Sequence, residues 1–237
     1  MIKQDITRRI FAMGQGINPM LIRHFVKLTG RKNPRICLLP TATADDPKLI
    51  SVWHGFGHKF GFEAFDQPMF ISSFEQKKTF KEVLLSMDAI YVSGGNTMNM
   101  LAIWKVQGID VILREAYEKG ILLGGGSAGG ICWFEDGLTD SRPIELTAMK
   151  AMGWLKGGFS PHYLSEPGRR DYCHKYVRLG ELSDGYGIDE PVGLLFENEV
   201  LVKAVGSTRD AEGFLVELKG DEVVETPLDI EYLGDEA

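Results

Sequence analysis

Cysteine is scarce in this 237-residue chain: Cys37, Cys132 and Cys173 form an odd, scattered set. That excludes a disulfide framework and offers no zinc-cluster spacing, so a reducing cytoplasm is the expected compartment. Long apolar runs are missing too. None approaches the ~18–20 residues a bilayer span needs, so no membrane partner is expected. Met1–Asp5 leads straight into a strand-like segment without a signal-peptide core. Nor is there a basic excess: 26 Lys and Arg stand against 33 Asp and Glu, a net charge of −7. A nucleic-acid partner would call for the opposite balance. No repeat and no low-complexity linker interrupts the chain.

What is present is an ordinary globular composition, 44% apolar and 25% charged. The length suits one domain spanning residues 1–237. Charge is unevenly placed, because Asp221–Ala237 carries seven acids and no Lys or Arg. That tail alone accounts for the net charge and reads as a solvated surface ending.

Short apolar runs alternate with longer amphipathic ones, the pattern of strands followed by helices. Strands are expected at Arg9–Gly14, Ile36–Pro40, Phe62–Phe70, Ala89–Ser93 and Ile121–Gly124. Helices are expected from Asn18-Pro19, over Pro47–Phe60, Phe74–Ser86, Thr97–Trp104 and Ile109–Lys119, and later over Arg169–Gly180. Strands apolar nearly throughout imply a mostly parallel central sheet with helices on both faces, an α/β fold. After Gly185 the texture changes to short β-like runs at 193–196, 200–205, 214–218 and 222–225, which read as C-terminal β-hairpins finishing the sheet or its edge.

The most informative segment is Gly125-Gly126-Ser127-Ala128-Gly129, a strand end running into a helix-compatible stretch. It fits G-x-S-x-G, in which a serine on a sharp strand-to-helix turn needs small neighbours. The N–H of Ala128 is then an expected oxyanion donor. Gly124–Gly129 also fits the dinucleotide pattern G-x-G-x-x-G, although on the fifth strand rather than the first. A structural glycine turn is the third reading. A second strand-end glycine pair, Gly94-Gly95 before Asn96, would supply another close backbone N–H if its strand neighbours that of Ser127.

A serine nucleophile needs a base and the base an orienting acid. Of the five histidines, His24 falls within a helix and reads as a surface or boundary residue, and His174, in a charged helix, reads as a surface residue. His54 and His58 stand four apart, but Gly55 replaces the glutamate of H-E-x-x-H, so no metal is expected. His162 lies on a loop past a strand-like stretch and is the candidate base. Glu190, Asp189 and Asp140 are the candidate acids, and spacing does not choose among them. Trp133, Phe134 and Trp154 read as core.

Taken in order, Gly94-Gly95-Asn96, Gly125–Gly129, Pro161-His162-Tyr163 and Gly187-Ile188-Asp189-Glu190 resemble the peptidase E and cyanophycinase group of serine hydrolases, from about Arg8 to Val205. The resemblance implies a class I glutamine-amidotransferase-like fold, Ser127 as nucleophile, His162 as base, and Gly95 and Ala128 as oxyanion donors. It implies Glu190 as the acid by analogy with cyanophycinase-like members. Asp140 is the alternative near the peptidase E position, where Ser141 aligns most simply. It further implies an exopeptidase for short peptides with an N-terminal aspartate, held by Arg170, with Arg169 and Asn96 in the substrate-binding set. No cofactor is implied, and a homodimer is compatible. The rivals are a β-aspartyl hydrolase, a silent binding protein and a nucleotide-binding oxidoreductase.

Overall fold

The structure is a computed structural model describing residues 6–234. The Met1–Asp5 reading and the last three residues of the acidic tail lie outside the described residues. Five parallel strands come first: β1 (Arg9–Met13), β2 (Arg35–Leu39), β3 (Glu63–Asp66), β4 (Ala89–Val92) and β5 (Leu122–Gly126). Between them run α1 (Pro19–Leu28), α2 (Pro47–Phe60), α3 (Phe80–Leu84), α4 (Thr97–Gln107) and α5 (Ile109–Glu118). The chain then forms α6 (Ala128–Ile131), β6 (Phe134–Thr139), β7 (Thr147–Lys150), β8 (Leu155–Ser160) and α7 (Arg169–Arg178). It ends with β9 (Gly185–Ile188), β10 (Val192–Glu197), β11 (Val200–Gly206), β12 (Gly213–Lys219), β13 (Glu222–Pro227) and β14 (Ile230–Tyr232).

Two sheets result. The larger has the order β14-β11-β10-β1-β5-β4-β2-β3, parallel from β1 to β3, with β10 antiparallel to β1. The smaller has the order β13-β12-β9-β8-β6-β7. Strand alternation assigns the faces of the larger sheet. Phe11, Met13 and Tyr91 pack with Leu21, Phe25 and Trp53 of α1 and α2. Ile10, Ala12 and Val92 face the other way, toward Met100, Trp104 and Leu113 of α4 and α5 and toward Phe134 and Phe159 of the second sheet. Trp133 and Phe134 are fully buried core and Trp154 packs against them.

Local chemistry sets the boundaries. Asn18 accepts from the Met20 and Leu21 N–H groups and Pro19 occupies the first turn, so α1 starts where the sequence indicates. Gly61 ends α2 at φ 74°, a left-handed cap that suits glycine. The helix expected over Phe74–Ser86 is shorter. A reciprocal Thr79–Glu82 capping box fixes its start at Phe80, and Phe74 is left exposed on the preceding loop. The 214–218 and 222–225 runs belong to the second sheet rather than to the edge of the first. The tail is also not merely a solvated ending. Residues 222–227 and 230–232 form strands, and the Glu225 side chain is only 11% exposed.

Candidate active site

The site forms where β5 turns into α6. Ser127 has φ 54° and ψ −117°, an unfavourable backbone for a residue with a Cβ, and its N–H donates to Met13 O at 3.1 Å. The crowding explains the glycines. A Cβ on Gly126 would lie 1.8 Å from Gln15 O, and one on Gly129 would lie 2.2 Å from Val92 O. On the β4 side, a Cβ on Gly94 would come within 3.2 Å of the Ser127 Cβ, so the two glycine loops meet across the serine. Among the described residues the N–H groups of Gly95 and Ala128 have no acceptor. Two free N–H groups flanking a serine are what a developing oxyanion requires.

His162 follows β8, also with φ 54°. Its Nε2 lies 2.9 Å from Ser127 Oγ, and its Nδ1 lies 3.0 Å from Glu190 Oε1. A carboxylate only accepts, so Nδ1–H donates to Glu190 and Nε2 is left to accept the serine proton. The histidine loop is pinned at several points. Tyr163 N–H donates to Ile188 O, Glu166 N–H to His162 O, and Ser165 N–H to Asp189 Oδ1 at 2.9 Å. Asp189 therefore holds the loop and does not face the imidazole. Asp140 is exposed at the end of β6.

The remaining expected residues are engaged in contacts within the chain. Arg169 is 2% exposed, and its guanidinium donates to Glu166 Oε2 and, at 2.9 Å, to Leu138 O. It straps β6 to the histidine loop and is not open to a substrate. Arg170 is half-exposed, but its fork is already paired with Glu225, Nε to Oε1 at 2.8 Å and Nη2 to Oε2. Asn96 caps α4 by accepting from Asn99 N–H, and its Nδ2 donates to Ser141 O at 3.1 Å. Its amide is thus committed to structure.

Sequence reasoning missed the cluster behind the histidine. Glu225 Oε1 accepts from Tyr163 OH at 2.5 Å and lies 2.8 Å from His174 Nε2. His174 is correspondingly half-buried rather than a surface residue. Burial pushes the Glu225 carboxyl up, and its Arg170, Tyr163 and His174 partners outweigh that, bringing it down to about 2. The available signal was the β-like run at 222–225, which carries an acid at each end. Among the described residues no group of His, Cys, Asp and Glu could hold a metal, and no helix is long and apolar enough to cross a membrane.

Comparison with known proteins gives the family and the fold. The model of peptidase family S51 matches residues 10–203. The chain belongs to that family. It is 38% identical over 235 residues to the uncharacterized peptidase YgaJ of Bacillus subtilis (strain 168), covering 96% of this chain and all of that protein. Two solved structures share the fold at 18% identity. A peptidase from an acI-B1 Actinobacterium has a TM-score of 0.70, covering 95% of this chain and 100% of that one. A putative peptidase E protein from Listeria monocytogenes EGD-e has a TM-score of 0.62, covering 94% and 100%. A peptidase E-like protein with a mixed α/β fold, of a serine-peptidase family, is the assignment these matches carry.

Proposed function

We propose that the protein is a serine exopeptidase for short peptides, with Ser127 as nucleophile, His162 as general base and Glu190 as orienting acid. The observation that carries this is the continuous relay from Ser127 Oγ through both nitrogens of His162 to Glu190. Nε2 takes the serine proton as Oγ bonds to the scissile carbonyl carbon, whose oxygen becomes an oxyanion facing the Ala128 and Gly95 N–H groups. The same proton then passes to the leaving amine as the peptide C–N bond breaks. Water, deprotonated by His162, releases the acyl group and restores Ser127. Each oxyanion donor is worth roughly 3–4 kcal/mol in related chemistry, so the strained but crowded loops serve preorganisation.

The finer reading is a dipeptidase preferring an N-terminal aspartate, for which the family resemblance and an arginine at the start of α7 are the support. The Arg170–Glu225 pairing favours a second reading, the same mechanism with a different acyl-side preference, β-aspartyl peptides included. The test is hydrolysis of Asp-X, Glu-X, β-Asp-X and Ala-X dipeptides beside Ser127→Ala, with fluorophosphonate labelling of Ser127. Turnover lost in the variant supports the peptidase. A wild type that neither turns over nor labels refutes it, and the identity of the cleaved class decides between the two preferences.

A further inference from the structure

Both arginines at the start of α7 are engaged internally, yet the loops around Ser127 hold a third guanidinium. Arg142 follows Ser141, the residue whose carbonyl accepts from Asn96 and whose Oγ accepts from Met98 N–H. Asn96 adjoins Gly95, so Arg142 sits on the loop that buttresses the glycine side of the serine. Arg142 is exposed and, among the described residues, has no ion-pair or hydrogen-bond partner.

Arg142 lines a cavity of about 310 Å³ with Asp140, Ile144, Glu145, Glu166 and Tyr172. One wall is the loop from β6 to β7. The other is the loop that continues from His162, since Glu166 N–H donates to His162 O. The buried Arg169 guanidinium ties these walls together beneath, through Glu166 and Leu138 O. Ile144, at the rim, is fully exposed with φ 81°. A β-branched residue held in that conformation and turned to solvent is unfavourable twice over, and such strain concentrates at ligand-binding loops. Because Glu166 is taken by Arg169, the unmatched cavity charges are Arg142 and the exposed Asp140 and Glu145. A short peptide with free ends carries both complementary signs.

We propose that Arg142 is a specificity-determining residue whose guanidinium binds a carboxylate of the substrate. This rests on Ser127 being the nucleophile of a peptidase. An acidic acyl-side chain and a free C-terminal carboxylate present the same chemistry, a planar pair of acceptors matched to the guanidinium fork. Four substrates separate them: Asp-Leu and Ala-Leu, each as free acid and as C-terminal amide. In the wild type one ratio of kcat/KM, acid over amide or Asp over Ala, is expected to be about tenfold or more, the usual scale of a charge-assisted contact. In Arg142→Gln that ratio falls toward one, and Arg142→Lys retains part of it.

The proposal is overturned if Arg142→Gln keeps both ratios, if it lowers all four rates by one factor, or if both wild-type ratios already stand near one. Calorimetric binding of the same four peptides to Ser127→Ala, with and without Arg142→Gln, reads the contact without turnover. A binding ratio that collapses in a protein whose wild type hydrolyses nothing would sink the peptidase reading and leave the carboxylate site standing. Turnover with unchanged binding ratios would do the reverse.

Discussion

Ser127 Oγ and His162 Nε2 stand 2.9 Å apart although each residue holds a φ of 54°. Two non-glycine residues in the left-handed region, from loops 35 residues apart, meet at hydrogen-bonding distance. The surrounding contacts therefore outweigh a cost of order 1–3 kcal/mol at each position. For the serine these contacts are the Met13 carbonyl and the glycine-walled turn; for the histidine they are the bond its own carbonyl accepts from Glu166 N–H and the next residue's N–H donating to Ile188 O.

Removing members of the relay should cost unequally. Ser127→Ala and His162→Gln are expected to lower kcat by roughly 10⁴–10⁶-fold. Glu190→Gln should cost less, about 10²-fold, because its side chain is 41% exposed and water replaces part of its interaction. Steady-state kinetics on any cleaved dipeptide gives the comparison. Equal losses for Glu190→Gln and His162→Gln would mean the carboxylate does more than orient the ring.

Gly126→Ala tests the turn itself. The added methyl would sit 1.8 Å from Gln15 O, so the loop after β1 must move. A loss of about 2 kcal/mol or more in urea unfolding is expected, with activity falling too because Ser127 rides on that turn. Gly55→Ala, in open space on α2, is the contrasting change and should be neutral or slightly stabilising.

Arg169→Ala should act through folding. The guanidinium is buried, and its removal leaves Glu166 and Leu138 O without their donor. Glu166 is partly exposed and can be resolvated, so the cost falls mainly on the buried Leu138 carbonyl and the lost packing, about 1–3 kcal/mol, and a lowered Tm is expected. A change in KM at unaltered stability would instead return Arg169 to the substrate site.

Glu225 carries a pH signature. Its carboxyl lies at about 2 in the folded protein against an ordinary 4.5. A depressed acid contributes stability that is fully present above 4.5 and is lost as pH falls toward 2. The contribution at neutral pH is on the order of 3 kcal/mol. Glu225→Gln should therefore unfold at a lower temperature than the wild type at pH 7, and the gap should shrink between pH 4.5 and 2. Melting curves at several pH values check this, and a gap independent of pH would refute it.

The elbow and the histidine were legible because their signals are local, a glycine-flanked serine after an apolar strand and a histidine on a loop. Glu190 was legible only as one of several acids. Its selection over Asp189 depends on a turn in which Asp189 looks back at Ser165. Arg169 and Arg170 look alike in sequence, yet consecutive helical positions point about 100° apart, so one is buried under β6 and the other reaches β13. The second sheet was hidden by its own composition. In β6 Glu135 and Asp136 interrupt the apolar pattern, with Asp136 buried against Lys150 and Ser183, and β8 carries Gly157-Gly158 at its centre. The acidic tail misled because Glu225 finds its partners 51 to 62 residues earlier, beyond any sequence window.

The pairing of β1 with β10 has a consequence in time. Arg9 lies opposite Glu197 and Met13 opposite Gly193, and Met13 is also the residue whose carbonyl fixes Ser127. β1 therefore has no neighbour on that side until nearly two hundred residues have followed it. Contacts of such long range form late and slowly. On the ribosome Ser127, His162 and Glu190 would emerge unassembled, and the candidate site would come into being only once the second half of the chain had closed over the first.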